Sequence, residues 1–153
     1  MSTWYNSIVD DMSNIAPAIA HFENELLDAK KECHIKGSLE KCSASLPGIT
    51  EHRFNQLQEI EAILHHLEIQ LRQIRGAKFR EYLEHYKKLL TSRDAEKYVD
   101  SDVEVINQSF LINDFSLLRN KYLGIMKALE QKSFQVGHVT RLRTAGMEDV
   151  VID

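Results

Sequence analysis

An all-α fold is predicted by three features of this 153-residue chain. Proline and glycine are scarce, two and six residues, whereas sheet-rich domains punctuate their turns with both at short intervals. Leu, Glu, Lys, Ala and Gln, which lose little on entering a helix, are abundant. Apolar residues recur every third or fourth position over long stretches, the period of a helix face packed on a core. The length suits one domain with a core of its own.

Residues 3–33 read as an amphipathic helix through Trp4, Ile8, Met12, Ile15, Ile19, Phe22 and Leu26. Pro17 is expected to kink or divide it. From His34 to Gly48 the pattern gives way to Gly37, Ser38, Ser43, Ser45 and Pro47-Gly48, read as a connector with turn chemistry. A second helix is expected from Ile49 to Leu90, roughly 60 Å if continuous. Within it Leu57, Ile60, Leu64, Leu67, Leu71 and Ile74 alternate spacings of three and four, a coiled-coil-like seam that is short for a coiled coil and equally able to pack within its own subunit. The next seam position would be Lys78, but the apolar series resumes at Phe79, Leu83, Tyr86 and Leu90. Gly76 stands at this change of phase, so the helix is expected to bend or turn its face there and release Lys78 from the packing side.

"TSRDAEKYVD" reads as a short helical connector, and Ser101 with Glu104 fits a capping box opening a third long helix. That helix carries Leu111, Phe115, Leu118, Tyr122, Ile125 and Leu129, widened by Val103, Ile106, Phe110 and Leu117 into a face broad enough for two neighbours, one of them a second subunit. A last helical segment through Phe134, Val139 and Leu142 is expected to stop near Gly146. The chain thus divides into an N-terminal helix and connector (1–46), a long helix with a basic segment (47–93), a C-terminal helical region (94–146) and an acidic-apolar tail (147–153), read as a frayed end or a docking peptide.

Cys33 and Cys42 form no CxxC unit and follow no apolar signal segment, which suits a reducing cytoplasm. No run approaches the roughly 18 apolar residues of a membrane span. GxSxG, GxxxxGK[ST] and GxGxxG are absent, and His65, His66 and His85 sit in neither HExxH nor ExxH units, so no enzyme, metal or cofactor is expected.

Charge is the feature that asks for a partner. The net charge is −4, yet residues 70–93 hold Arg72, Arg75, Lys78, Arg80, Lys87, Lys88 and Arg93 against Glu81 and Glu84, a local +5 that leaves −9 for the rest. A solvated helix face accounts for Arg72, four residues after Glu68, and for Lys88, four after Glu84. It accounts less well for the clustering. Lys78, Arg80, Tyr82, His85 and Tyr86 alternate cations with rings, the combination that holds phosphates and stacks the bases of single strands. Acidic protein surface is the other candidate partner.

The order of "ITEHRF", "AKFREYLEHY" and "DVEVINQSFLINDFSLLRNKYLGIMKALEQKSFQVGHVTRLRTAG" resembles the UvsY recombination mediators of T4-like phages. The likeness spans about residues 25–146. It lies in a Lys-x-Arg unit closely followed by tyrosines (Lys78-Phe79-Arg80, Tyr82, Tyr86), then Lys132-Ser133-Phe134, then Val136, Val139 and Leu142-Arg143 before a glycine. The first two dozen residues and the spacing of the tyrosines depart from the family pattern. The resemblance implies a ring of six or seven subunits in the cytoplasm of the bacterial host, binding single-stranded DNA and helping a RecA-like phage recombinase displace the phage single-strand binding protein. It gives Lys78 and Arg80 the DNA contact, with Arg75, Tyr82, Tyr86, Lys87 and Lys88 around them. It gives Leu118, Tyr122, Ile125, Leu129, Phe134, Val139 and Leu142 to self-assembly. The alternative is a helical structural or adaptor protein that does not bind DNA.

Overall fold

A computed structural model describes residues 3–86 and 88–147, all helix and connecting turn with no strand. The tail beyond Met147 and Lys87 lie outside the described residues. Among the described residues five α-helices follow one another: α1 Thr3–Asp10, α2 Ile15–Glu32, α3 Leu39–His85, α4 Ser92–Asp100 and α5 Val103–Thr144, with a 3-10 turn, Met12–Asn14, between the first two. The all-α expectation holds.

Several boundaries differ from the sequence expectation for physical reasons. The break in the first helix comes before Pro17, at Asp11, whose carboxylate accepts from the Ser13 N–H at 2.9 Å. Pro17 falls in the first turn of α2, where its missing N–H costs nothing. The connector after α2 is only Cys33–Ser38, turned by Gly37 at φ +74°. Helix α3 begins at Leu39, ten residues before the expected start, and carries Pro47 inside it. Cys42 and Leu46 are both buried one turn apart, and this packing outweighs the hydrogen bond the proline deletes.

Gly76 neither ends nor divides α3, which stops instead at His85, short of Leu90; Leu89 is fully exposed and has no core to hold a further turn. Helix α5 opens one residue later than the expected capping box. Asp102 is the cap, accepting from the Glu104 N–H at 2.9 Å, while the Ser101 hydroxyl donates back to the Lys97 and Tyr98 carbonyls. The expected separate last segment is continuous with α5. Its stop at Gly146 is as expected: φ is +77°, the Met147 N–H reaches the Leu142 carbonyl at 3.0 Å and the Gly146 N–H the Arg143 carbonyl at 3.1 Å, a Schellman closure.

The chain forms two compact units, and α3 and α5 contribute to both. The first comprises the described residues up to Ile60 and from Leu118 onward. Its α2 buries Ile15, Ala18, Phe22, Leu26 and Ala29. Helix α5 buries Leu118, Tyr122, Ile125, Leu129, Lys132 and Val136, again at steps of three and four. The Tyr122 ring meets Phe22 edge-on at 6.2 Å and its hydroxyl donates to the Phe22 carbonyl at 3.0 Å. Burial pushes the Tyr122 phenol well above its ordinary range. A Glu59 oxygen accepts from the Trp4 and Tyr5 N–H groups at 2.8 and 3.0 Å, satisfying donors that the start of α1 leaves without helical partners.

A polar seam lies inside this unit. Arg53, only 3% exposed, gives two parallel hydrogen bonds to Glu32, both 2.8 Å, one to Glu25 at 2.8 Å and one to Gln56 at 2.9 Å. Buried Lys132 donates to the Glu32 backbone carbonyl at 2.6 Å.

The second unit spans Glu61–Leu117: the rest of α3, α4 and the first part of α5. Ile63, Leu64 and Leu67 of α3, Ala95 and Val99 of α4 and Val105 and Phe115 of α5 are buried. The Gln108 amide donates to the Leu67 carbonyl at 2.9 Å and to Gln70 at 3.2 Å, fixing α5 on α3.

Candidate nucleic-acid interface

The basic segment ends α3 within the second unit, and the fold lays acidic residues of α4 and α5 against it. Short α4 is capped by Thr91, whose hydroxyl accepts from the Asp94 N–H at 3.2 Å and donates to the Asp94 carboxylate at 2.7 Å. Burial of Ala95 and Val99, one turn apart, seats the helix and leaves Tyr98 exposed on its flank. Asp100, Asp102 and Glu104 follow at the α4–α5 junction.

These carboxylates take up two of the expected DNA-contacting cations. Arg75 pairs with Asp100 at 2.8 Å. Lys78 Nζ lies 3.3 Å from Glu81, 3.3 Å from Glu104 and 3.8 Å from Asp102, with its side chain 19% exposed. Lys78 is therefore not released by the change of phase at Gly76. The phase change turns it toward the start of α5, where it bridges two helices. Its pairing to Glu81 and Glu104, reinforced by the Asp102 charge, raises its pKa above the ordinary value. Burial works to raise the Asp102 pKa, but the Glu104 N–H, the Tyr82 hydroxyl and Lys78 outweigh it and hold the carboxyl below its usual range.

The tyrosines form a cluster. The Tyr82 hydroxyl donates to Asp102 at 3.0 Å, which raises the phenol's pKa. Its ring stacks on Tyr98 at 5.6 Å and 26°, and Tyr86 lies 5.4 Å from the same Tyr98 ring at 35°. A hydrogen bond to Tyr86 pushes the Tyr98 hydroxyl up. Tyr98 was not among the expected site residues. The only signal in the sequence is its place on the flank of a short helix seated by Ala95 and Val99.

Arg80 remains available. It is exposed and lines a shallow pocket with Ala77, Glu81, Glu84 and His85. Lys88, Arg72 and Arg93 are also exposed, and among the described residues none of the four is in an ion pair. The expected Glu68–Arg72 and Glu84–Lys88 pairs do not form; Glu68 instead faces His65 at 3.7 Å. Across the whole unit ten Asp and Glu meet eight Lys and Arg, so the local +5 of the segment is offset in the fold, and what projects from it is individual cations.

The residues assigned to assembly separate into two groups. Leu118, Tyr122, Ile125 and Leu129 are buried within the single chain and leave no surface for a second copy. Phe134 and Leu142 are exposed and Val139 is half-buried.

Elsewhere, a groove of about 740 Å³ in the first unit is lined by Leu46, Pro47, Phe54, Leu123, Met126 and Leu129, with Thr50, Glu51, Lys127, Glu130 and Ser133 on its polar side. Among the described residues no group of three or more His, Cys, Asp or Glu side chains is placed to hold a metal ion, and no helix is long and apolar enough to cross a membrane. Comparison with known proteins finds no matching family model, no matching curated protein and no matching solved structure.

Proposed function

We propose that the chain is a recombination mediator: a non-enzymatic homo-oligomer, acting in the cytoplasm of a phage-infected bacterium, that binds single-stranded DNA and helps a RecA-like recombinase replace the single-strand binding protein. The observation that carries this reading is that one unit exposes both cations, Arg80 and Lys88 with Arg72 and Arg93, and aromatic rings, Tyr86 and Tyr98. The resemblance of the motif order to the UvsY mediators supports it. In this reading Arg80 and Lys88 take phosphates while Lys78 and Arg75 position the helices that present them. Each site is small, and repetition over several subunits raises the effective concentration of the next site for a strand already held.

A second reading, a helical adaptor that binds no DNA, is favoured by one observation: the chain's own carboxylates occupy Lys78 and Arg75. Oligo-dT binding separates the two. Arg80→Ala with Lys88→Ala is expected to weaken binding and flatten its salt dependence by about 0.7 log units per log salt for each lost contact. Lys78→Gln is expected to leave that slope unchanged. Absence of wild-type binding at moderate salt would establish the adaptor reading.

A further inference from the structure

The two cations that tie the basic segment to its own carboxylates are not held equally. Lys78 faces three of them, Glu81, Glu104 and Asp102, and its side chain is 19% exposed. Among the described residues Arg75 is in one ion pair, with Asp100 at 2.8 Å, and the two side chains are 41% and 62% exposed. A pair this open to water and salt binds its cation weakly. A phosphate brought to Arg75 therefore competes with Asp100 on similar terms.

The surroundings of Arg75 suit such a ligand. Arg72, exposed and in no ion pair among the described residues, lies three residues earlier, a neighbouring position on the surface of α3. Arg75 also lines a cleft of about 280 Å³ between α3 and α4, with Gly76, Phe79, Glu96 and Val99, so its side chain is reached from solvent. Asp100, in turn, is the last residue of α4. An acid there opposes the helix dipole, and the helix itself does not call for it.

We propose that Asp100 is a built-in substitute for phosphate, which holds Arg75 in the unbound chain and competes with the backbone of a single strand for it, so that Arg72 and Arg75 form a second, partly masked cation pair on α3. The inference rests on the DNA reading above and deepens it. In the unbound chain the pair positions α4 on α3. When a strand takes Arg75, one contact is exchanged for another rather than added, which keeps each subunit's hold on the strand weak and readily reversed. Repetition over several subunits then supplies the affinity.

Oligo-dT binding by the full chain at fixed moderate salt tests the proposal. Asp100→Asn removes the competitor and is expected to tighten binding at least twofold and up to about fivefold, the most that an exposed pair withholds from its cation. Asp114→Asn makes the same change of charge at an exposed position of α5 that is in no ion pair among the described residues, and is expected to change binding less than twofold. In an Arg75→Gln background the gain from Asp100→Asn should disappear, the coupling that marks two groups acting on one another. Circular dichroism should show Asp100→Asn folded as the wild type is, because the pair it removes is exposed. An Asp100→Asn chain that binds no tighter than Asp114→Asn, or a gain that persists in the Arg75→Gln background, would overturn the proposal and leave wild-type strand binding standing. Absence of binding by both the wild type and Asp100→Asn would remove the DNA reading and the proposal together, so the two failures are told apart.

Discussion

Arg53→Ala is expected to lower stability by about 3 kcal/mol, because it removes a cation bonded to two carboxylates and an amide inside the first unit and leaves the carboxylate charges behind. Glu25 and Glu32 keep 29% and 28% side-chain exposure, so water recovers part of the loss. The remainder is still a large share of the roughly 5–15 kcal/mol that holds an ordinary domain folded. A drop in melting temperature of roughly 6–12 °C by circular dichroism is the corresponding reading; an unchanged melting temperature would show that the network contributes nothing. Arg53→Lys keeps the charge but not the forked geometry, and should fall between the two.

The same network gives the stability curve an acid limb. A hydrogen bond from Gln56 is the largest cause holding Glu25 below its ordinary carboxyl value of 4.5; burial opposes it, and Arg53 adds to it. A group whose pKa is lowered on folding contributes stability above its unfolded value, and that stability is lost as pH falls through the folded value. The wild-type chain should therefore lose stability more steeply below about pH 4.5 than Arg53→Ala, in which part of the shift is gone.

Tyr122→Ala is expected to cost about 4 kcal/mol, the scale for deleting a fully buried ring. Tyr122→Phe, which removes only the hydroxyl donated to Phe22, should cost about 1 kcal/mol. The pair of variants also distinguishes two roles for this residue. If Tyr122 is core, as its complete burial indicates, the Ala variant melts early at every protein concentration. If it served assembly, the variant would keep its melting temperature and lose native mass.

Much of the fold was legible because it depends on local pattern. The apolar period placed α2, α5 and most of α3; turn chemistry marked Gly37; and the stop at Gly146 followed from its need for positive φ. The failures share one cause, tertiary contact outvoting local preference. Pro47 reads as a helix breaker, yet Cys42 and Leu46 are buried around it. Ser101 fits the capping template, but Asp102 takes the cap while also receiving Tyr82 and Lys78.

The candidate site was legible as a charge segment but not as a surface. Lys78 is neutralised in part by residues 24 and 26 positions further along the chain, Asp102 and Glu104, and no local reading of "AKFREY" contains them. Arg53 likewise meets Glu32 and Glu25 across separations of 21 and 28 residues. The breadth of the α5 stripe was visible, whereas the division between its buried and exposed faces required the packing of α3 against it. What the sequence marked as one basic patch is, in the fold, two structural cations and a few projecting ones.

Native mass of the full chain, measured with and without an oligo-dT strand at moderate salt, tests the central claim most directly because it reads assembly and ligand together. A mass that is a multiple of the single chain, increasing by that of the bound strand when oligo-dT is added, is the expected result. A single-chain mass that oligo-dT leaves unchanged would contradict it.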